Sequence, residues 1–214
     1  MGLDETDPGT GPVTVQRGVP VGAERRAAEL YWDAFGRKLG PALNPPGKAV
    51  PFIAAHLNAD RAVCAISAGR LVGLAGYQLG GRALTGGSAS AVLRTYGYLG
   101  GLYRLLLLAL FERRPAPGQL VMDGIAVDPD ARGRGIGSLL IKEVTAVAAE
   151  QHCREIRLDV IDTNPRARAL YERRGFTAVR TEHTPYLRGL LGFGAVTTMH
   201  RPVEADEPRG LRAQ

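Results

Sequence analysis

A short arginine- and glycine-rich stretch, RGRGIGS at residues 132–138, has the composition of an anion-binding site. The apolar periodicity that follows predicts a helix over residues 135–151, so the stretch forms the start of that helix. About four N–H groups at a helix start lack intrahelical partners, and a Ser, Thr, Asp or Asn side chain usually accepts from them. This start instead carries glycines and arginines, namely Gly133, Gly135, Gly137, Arg132 and Arg134. Because glycines let a ligand approach the backbone closely, the stretch predicts a phosphate or pyrophosphate site.

Two common anion-binding motifs match this stretch incompletely. It is not a P-loop, because GxxxxGK[ST] requires a lysine that the stretch lacks. A dinucleotide-binding turn needs GxGxxG directly after a strand and an acidic residue about 20 positions later. Here the last glycine is missing, DPDAR separates the strand from the glycines, and Asp159 lies in the middle of a predicted strand. The dinucleotide-binding turn and a plain glycine-rich loop with solvated arginines remain the alternatives.

Composition narrows the class of protein. The 214 residues are 45% hydrophobic and 22% charged, which is typical of a globular domain with a core. The net charge of +6 comes almost entirely from arginine and reflects either genome composition or an anionic ligand. No basic tract carries interleaved aromatic residues, so we expect no nucleic-acid partner. The longest apolar run, LLLLALF at residues 105–111, is far shorter than the roughly 20 residues of a membrane span.

Cysteine and histidine spacing argues against a metal site. Cys64 and Cys153 make neither a disulfide framework nor a zinc motif, and the four histidines are scattered along the chain. We therefore expect no metal. The two cysteines, and an acidic Pro/Gly-rich start that does not resemble a signal peptide, lead us to expect a cytoplasmic protein.

The order of predicted elements indicates an α/β (α+β) fold with a mixed sheet and helices on it. Alternating apolar residues predict strands at 13–19, 119–127, 155–161, 176–182 and 194–202, and a hairpin over 61–79 with its turn at 68–70. Helical spacing predicts helices at 23–35, about 50–58 after the NPPG breaker, 135–151 and 164–176. The last helix has clear ends, with Asn164 as N-cap, Pro165 at the first position and Gly175 as the stop.

We expect one domain over residues 13–203, a disordered segment at 1–12 and a flexible tail at 204–214. Residues 80–118 stand out within this domain, because their helical part is apolar over more than one face. Such a surface must cover the core, a substrate cleft or a second copy of the chain in a homodimer.

Two sequence blocks carry a family resemblance. IAVDPDARGRGIGSLLI at residues 125–141 contains an R/Q-x-x-G-x-G/A signature, and LDVIDTNPRARALYERRGF at residues 158–176 follows at the expected distance. Together they resemble the Gcn5-related N-acetyltransferase (GNAT) superfamily. The resemblance implies a mixed, mostly antiparallel central sheet of six to seven strands flanked by helices, with residues 80–118 inserted between the third and fourth strands. It also implies direct transfer of an acetyl group from acetyl-CoA to an amine.

The resemblance implies a slot for acetyl-CoA, a cosubstrate, between two splayed parallel strands at residues 119–127 and 155–161. The first strand would pair with the pantetheine arm, and an N–H group near Val127 would polarise the thioester carbonyl. The implied binding residues are Ile125, Ala126, Val127, Arg132, Gly133, Arg134, Gly135, Ile136, Gly137, Ser138 and Asn164.

Asp123 and Tyr171 are the catalytic candidates. Asp123 lies in the apolar strand LVMDGIAV, where an unpaired carboxylate is costly, and the resemblance makes it a candidate base for the amine. A carboxylate paired with an arginine, or one that caps a loop, is the alternative. The resemblance makes Tyr171 the acid that protonates the leaving thiolate; the alternative is an ordinary half-buried tyrosine. Asn164 contacts coenzyme A, caps its helix, or does both.

The acceptor amine is not identified by the sequence: a small molecule and a protein amine both stay open. We expect its cleft to draw on residues 23–60, the insertion and residues 183–195. The alternative function is a non-catalytic acyl-CoA-binding regulatory domain, which would keep the glycine-rich loop and lack a competent acid and base.

Overall fold

The computed structural model describes residues 11–111 and 115–203. The expectations for residues 1–12 and 204–214 therefore lie almost entirely outside the described residues. No helix within the described ranges combines the length and the apolar character needed to cross a bilayer.

A seven-stranded mixed sheet forms the centre of the fold. Its order is β1-β2-β3-β4-β5-β7-β6, and each neighbouring pair is antiparallel except β4 and β5, which are parallel. The strands are β1 Val13–Arg17, β2 Ala62–Ser67, β3 Arg70–Gln78, β4 Gln119–Val127, β5 Glu155–Ile161, β6 Thr177–His183 and β7 Ala195–Pro202. The expected α/β class and mostly antiparallel sheet are thus confirmed.

Helices cover both faces of the sheet. They are α1 Glu24–Leu43, α2 Pro46–Ala55, α3 Ala89–Tyr96, α4 Tyr98–Phe111, α5 Ile136–Glu150, α6 Pro165–Arg173 and α7 Arg188–Leu191. Two boundaries differ from the sequence prediction. The first helix continues about two turns beyond residue 35, through Gly36, Gly40 and Pro41. The second starts inside the expected breaker, because Pro46 occupies the first helical turn, where its missing N–H costs nothing.

Two hydrophobic cores lie on opposite faces of the sheet. On one face α5 packs through Ile136, Leu140 and Val144, and Tyr171 of α6 joins the same core. On the other face α1 and α2 pack together with residues of the insertion. The sheet therefore separates the helix that follows the glycine-rich stretch from the helices at the beginning of the chain.

The insertion packs on the α1 side through one face and exposes the other. Ala91, Val92 and Leu107 are buried in the core that α1 and α2 form. The opposite face of α4 leaves large apolar side chains exposed, namely Tyr98, Leu99, Leu102, Tyr103 and Leu106. The expectation that this segment covers the core holds for the inner face only.

A buried carboxylate connects α1, β3 and the turn after β4. Asp128 is 5% exposed and forms ion pairs with Arg26 and with Arg70, the latter at 3.0 Å between Nη2 and Oδ2. Its Oδ1 also accepts from the N–H of Asp130 at 3.2 Å and caps the short turn that leads to the glycine-rich stretch. This one side chain therefore fixes α1 relative to that stretch.

We expect Asp128→Ala to lower the free energy of unfolding by about 3 kcal/mol, because it leaves Arg26 without its buried partner. Urea denaturation followed by circular dichroism measures the change. Asp60→Ala is the matched control: Asp60 pairs with Arg61 and Arg82, but its side chain is 51% exposed, so the expected loss is below about 1 kcal/mol. Equal losses in the two variants would contradict the role given to Asp128.

Candidate active site

The parallel strands β4 and β5 separate in the middle of the sheet. Their ladder joins Gln119–Met122 to Glu155–Leu158 and ends there, although both strands continue. The N–H of Asp128 donates to the carbonyl of Val72, on the β3 side of β4. Because backbone groups alternate along a strand, the N–H groups of Ile125 and Val127 point to the other side, into the gap that β5 leaves.

Tyr171 reaches this gap from α6. Its side chain is buried, its ring lies edge-on to Phe176 with centroids 5.8 Å apart, and its hydroxyl oxygen is hydrogen-bonded to the backbone N–H of Ile125. Burial raises the pKa of the phenol, and the Ile125 hydrogen bond opposes that rise. The phenol is therefore neutral at pH 7 and holds a proton at the edge of β4.

Helix α5 begins beside the same gap without a side-chain cap. Its N-cap, Gly135, has a left-handed backbone with φ of 76°, and Gly133 has φ of 80°. A Cβ atom at either position would meet nothing within 4 Å, so open space lies in front of this helix start. Gly137 has a different role, since its Cβ would lie 2.9 Å from a methyl carbon of Leu170. It allows α5 to pack closely against α6.

The two arginines of the stretch make backbone contacts. Arg132 is exposed, and its Nε donates to the carbonyl of Val127 at 3.2 Å, in the gap beyond the β4–β5 ladder. Arg134 is half-buried and donates to the carbonyl of Gly11, before β1. Both side chains thus remain near the start of α5, where positive charge opposes the helix dipole unless an anion is present.

Asp123 is the extra residue of a β-bulge. Gly76 of β3 pairs with Gly124, and Tyr77 pairs with Met122, so Asp123 has no partner residue in β3. A Cβ on Gly124, which has φ of 136°, would lie 2.7 Å from the ring of Phe35. The bulge therefore turns Asp123 and Gly124 toward α1, while Ile125 and Val127 return to the α5 face.

The environment of Asp123 raises its pKa above that of a free aspartic acid. Its Oδ2 is buried and has no hydrogen-bond partner in the described part of the chain, whereas the backbone N–H of Leu84 donates to the carboxylate. Burial raises the pKa of Asp123 to about 6, although the charge of Lys38 and the Leu84 hydrogen bond act in the opposite direction. Such a carboxyl group can exchange a proton close to neutral pH.

A cavity of about 680 Å³ contains Asp123. Helix α1, the segment between β3 and α3, the insertion helices and the centre of the sheet all line it. Met122, Asp123 and Asp159 form its floor, at the point where β4 and β5 separate. The cavity on the α1 face and the Tyr171 hydroxyl at Ile125 therefore border the same short part of β4.

Comparison with known proteins decides the family. Residues 25–176, about 70% of the chain, match the model of the "Acetyltransferase (GNAT) family". The chain belongs to the GNAT family.

Individual relatives are similar over shorter stretches. The chain is 45% identical over 56 residues to the thialysine N-epsilon-acetyltransferase of Bos taurus, which is 26% of this chain and 33% of that protein. It is 39% identical over 83 residues to the mycothiol acetyltransferase of Beutenbergia cavernae, 38% of this chain and 27% of that protein. The chain thus matches about one third of the length of these relatives.

A solved GNAT structure shares the fold. The Gcn5-related N-acetyltransferase from Kribbella flavida superposes with a TM-score of 0.57 at 20% sequence identity, covering 89% of this chain and 97% of that chain. The seven-stranded sheet described above is thus a GNAT fold.

The GNAT chain brings together several of the residues that the sequence indicated. Ile125, Val127, Arg132 and Tyr171 meet at the gap between β4 and β5. Asn164 caps α6, because its Oδ1 accepts from the N–H of Ala167 at 3.1 Å. Asp123 lies in the cavity and pairs with no arginine among the described residues.

The sequence placed the acceptor cleft on residues 23–60, the insertion and residues 183–195, but did not name the α1 side chains that line it. Among the described residues, the cavity lining includes the first two segments and none of residues 183–195. Tyr31 and Phe35 stack with centroids 4.6 Å apart, Lys38 follows one turn later, and all three line the cavity. The hydroxyl of Tyr31 is hydrogen-bonded to Thr85, and burial and the charge of Asp123 raise its pKa. The Asp-Gly pair inside a strand was the available signal for the bulge, because an interior glycine often marks one.

The remaining titratable residues do not assemble a metal site. Among residues 11–111 and 115–203, no group of three or more His, Cys, Asp or Glu side chains could hold an ion. Cys64 and Cys153 are buried and unpaired, and burial raises the pKa of Cys64 to about 12. Cys64 is therefore an inert thiol at neutral pH.

We expect Gly135→Asp to weaken acetyl-CoA binding by at least about 100-fold, because it places a carboxylate in the open space before α5. Calorimetric titration of the folded variant measures the affinity. Gly97→Asp is the control, since Gly97 also has a positive φ, of 78°, and open space at its Cβ, but joins α3 to α4. Unchanged affinity in Gly135→Asp would show that the start of α5 does not bind the anion.

Proposed function

We propose that this GNAT protein is an acetyl-CoA-dependent N-acetyltransferase that moves an acetyl group directly from the thioester to an amine. One observation carries the proposal: Met122, Asp123 and Asp159, which line the cavity, lie where β4 and β5 separate. An amine in the cavity and a thioester in the gap would meet there. The separated strands alone would not bring the amine and the thioester together, because the bulge is also needed to place Asp123 beside them.

The residues around the gap fit acetyl-CoA, whose binding is typical of the family and which supplies the acetyl group. The N–H groups of Ile125 and Val127 suit a pantetheine arm laid along β4, and the start of α5 suits a pyrophosphate. Open space at Gly133 and Gly135 allows phosphate oxygens to approach the backbone. We assign the binding role to the residues expected from the sequence: Ile125, Ala126, Val127, Arg132, Gly133, Arg134, Gly135, Ile136, Gly137, Ser138 and Asn164.

Asp123 is the proposed base. Most amines are protonated at pH 7 and have no lone pair for attack. The Asp123 carboxylate takes a proton from the amine, directly or through one water, and Lys38 favours the charged form that can accept it. A pKa of about 6 keeps the carboxylate mostly deprotonated at neutral pH. It also lies close to the working pH, which is where a general base is most effective.

Tyr171 is the proposed acid, and Val127 supplies the oxyanion contact. The Tyr171 hydroxyl, held at the N–H of Ile125, gives its proton to the sulfur as the C–S bond breaks. The N–H of Val127 points into the same gap and polarises the thioester carbonyl. The regulatory alternative is not favoured, because it predicts the loss of an acid and a base that this chain retains.

We also propose the extent of the domain and the location of the protein. A single domain spans residues 13–203, with its insertion at 80–118. The location is cytoplasmic, because both cysteines are unpaired and buried. The two relatives are named for acetyl transfer, one of them to the ε-nitrogen of thialysine, which supports an amine acceptor without identifying it.

We expect Asp123→Asn to lower kcat/KM by about 10²- to 10⁴-fold and to leave acetyl-CoA affinity nearly unchanged. In the native protein the rate should rise with pH through about 6, because protonated Asp123 cannot accept a proton below that pKa. The variant should lose this acidic limb, as measured by thiol release from about pH 5 to 9. Asp33→Asn, an exposed change on α1, is the control. Turnover that holds across the range in Asp123→Asn would remove Asp123 from the mechanism.

We propose that the exposed face of α4 joins two copies of this chain in a homodimer. Leu99, Leu102, Tyr103 and Leu106 follow helical spacing, and each is more than half exposed. They form an apolar stripe without a charged residue. The same stripe on a second copy can pack against it about a two-fold axis, which would bury both.

Light scattering after size-exclusion chromatography tests this interface. We expect a dimer for the native chain and a monomer when Leu102 and Leu106 are both replaced by Glu, because charges in an apolar interface are costly. Val21→Glu, at a fully exposed position outside the insertion, should stay dimeric. A native chain that is monomeric at micromolar concentration would exclude the interface.

A further inference from the structure

The cavity has one apolar wall. Side chains of α1, α3 and α4 form it, namely Phe35, Leu39, Val92, Leu105, Leu108 and Ala109. All but Val92 remain partly or largely exposed, so they leave apolar surface for an occupant although Phe35, Leu39, Leu105 and Leu108 also pack against the α1 core. An occupant that covers these groups removes apolar surface from water, at about 25 cal/mol per Å².

The polar side of the cavity can receive one ammonium group. The carboxylates in its lining are Asp123 and Asp159. Asp159 is already engaged, because its Oδ1 accepts from the Thr198 hydroxyl at 2.8 Å and Arg157 lies within 3.4 Å. Of the two carboxylates, only Asp123 has a side-chain oxygen without a hydrogen-bond partner in the described chain. A second cationic group on the acceptor would find no carboxylate of this kind.

The basic residues of the lining reinforce this limit. Lys38 acts electrostatically on Asp123, and Arg82 donates to Asp60 and Asn58 at the rim, at 3.1 and 3.3 Å. A polycation would therefore meet both positive charge and the apolar wall. Binding of a peptide chain would be unfavourable for another reason, because its backbone N–H and C=O groups would lie without hydrogen-bond partners against that wall.

We propose that the acceptor is a small primary monoamine with an apolar body, its nitrogen at Asp123 and its body between α1 and α4. This inference rests on the proposed function, whose acceptor site is this cavity. The volume of about 680 Å³ suits such a molecule, since pockets for drug-sized ligands measure roughly 300–1,000 Å³.

Hexylamine and 1,6-diaminohexane form a matched pair of probes, because they share the six-carbon chain and differ in one terminal ammonium group. Acetyl transfer is followed by thiol release with acetyl-CoA saturating, and binding of each amine is measured separately by calorimetry. We expect kcat/KM and affinity to favour hexylamine by at least about tenfold, because the second ammonium would lie against Leu105 and Leu108. Equal or better values for 1,6-diaminohexane, or for a short peptide with a free N-terminus, would overturn the inference.

A pair of variants on α4 tests whether the preference for hexylamine comes from the apolar wall. Leu108→Asn places an amide in the cavity wall and should reduce the preference for hexylamine about tenfold, with acetyl-CoA affinity unchanged. Leu106→Asn changes an exposed position on the other face of α4, so its preference should stay native even if it disturbs a dimer. A preference that survives Leu108→Asn, or falls equally in both variants, would contradict the proposed wall.

These measurements distinguish failure of the proposed acetyltransferase function from failure of the proposed monoamine acceptor. Hexylamine that binds but is never acetylated, with acetyl-CoA bound, would support the ligand class and refute the transferase. Acetylation that prefers 1,6-diaminohexane would refute the ligand class and support the transferase. A protein that binds neither hexylamine nor acetyl-CoA would overturn both.

Discussion

The separation of β4 from β5 is the constraint on which the rest of the site depends. Two parallel strands in the middle of a sheet stop bonding after four residues each, and this leaves backbone donors and acceptors at the centre of the molecule. Buried backbone groups need partners, and here Tyr171 meets the N–H of Ile125 while Arg132 meets the carbonyl of Val127. The positions of α6 and of the glycine-rich stretch follow from the need to supply these partners.

On the α1 face of the sheet, a β-bulge in β4 positions Asp123. The bulge in β4 turns Asp123 toward α1 and shifts the pairing with β3 by one residue, so that Ile125 and Val127 face α5. Gly76 and Gly124 make the space, because a Cβ on either would collide with Leu84 or Phe35. A carboxylate is thereby buried next to the gap, and in the proposed mechanism the base and the acetyl donor lie on opposite sides of one strand.

The sequence predicted those structural features of the candidate site that depend on local signals. Gly135 at an uncapped helix start, Asn164 before Pro165, and an acid in an apolar strand could all be seen without coordinates. The continuation of α1 beyond residue 35 could not be predicted, because Gly36, Gly40 and Pro41 each disfavour a helix interior by about 1 to 3 kcal/mol. Packing of α1 against α2 and α4 outweighs that local preference and carries Lys38 into the cavity. Only the three-dimensional contacts contain that information.

The start of α5 also restricts which side chains the sequence can place in front of it. It presents main-chain groups rather than side chains, and every amino acid except proline has the same N–H to present. A side chain that extended into the space before Gly133 and Gly135 would block access to those groups. The requirement at this helix start is thus an empty volume rather than a particular functional group. The Kribbella flavida protein shares the fold at 20% identity.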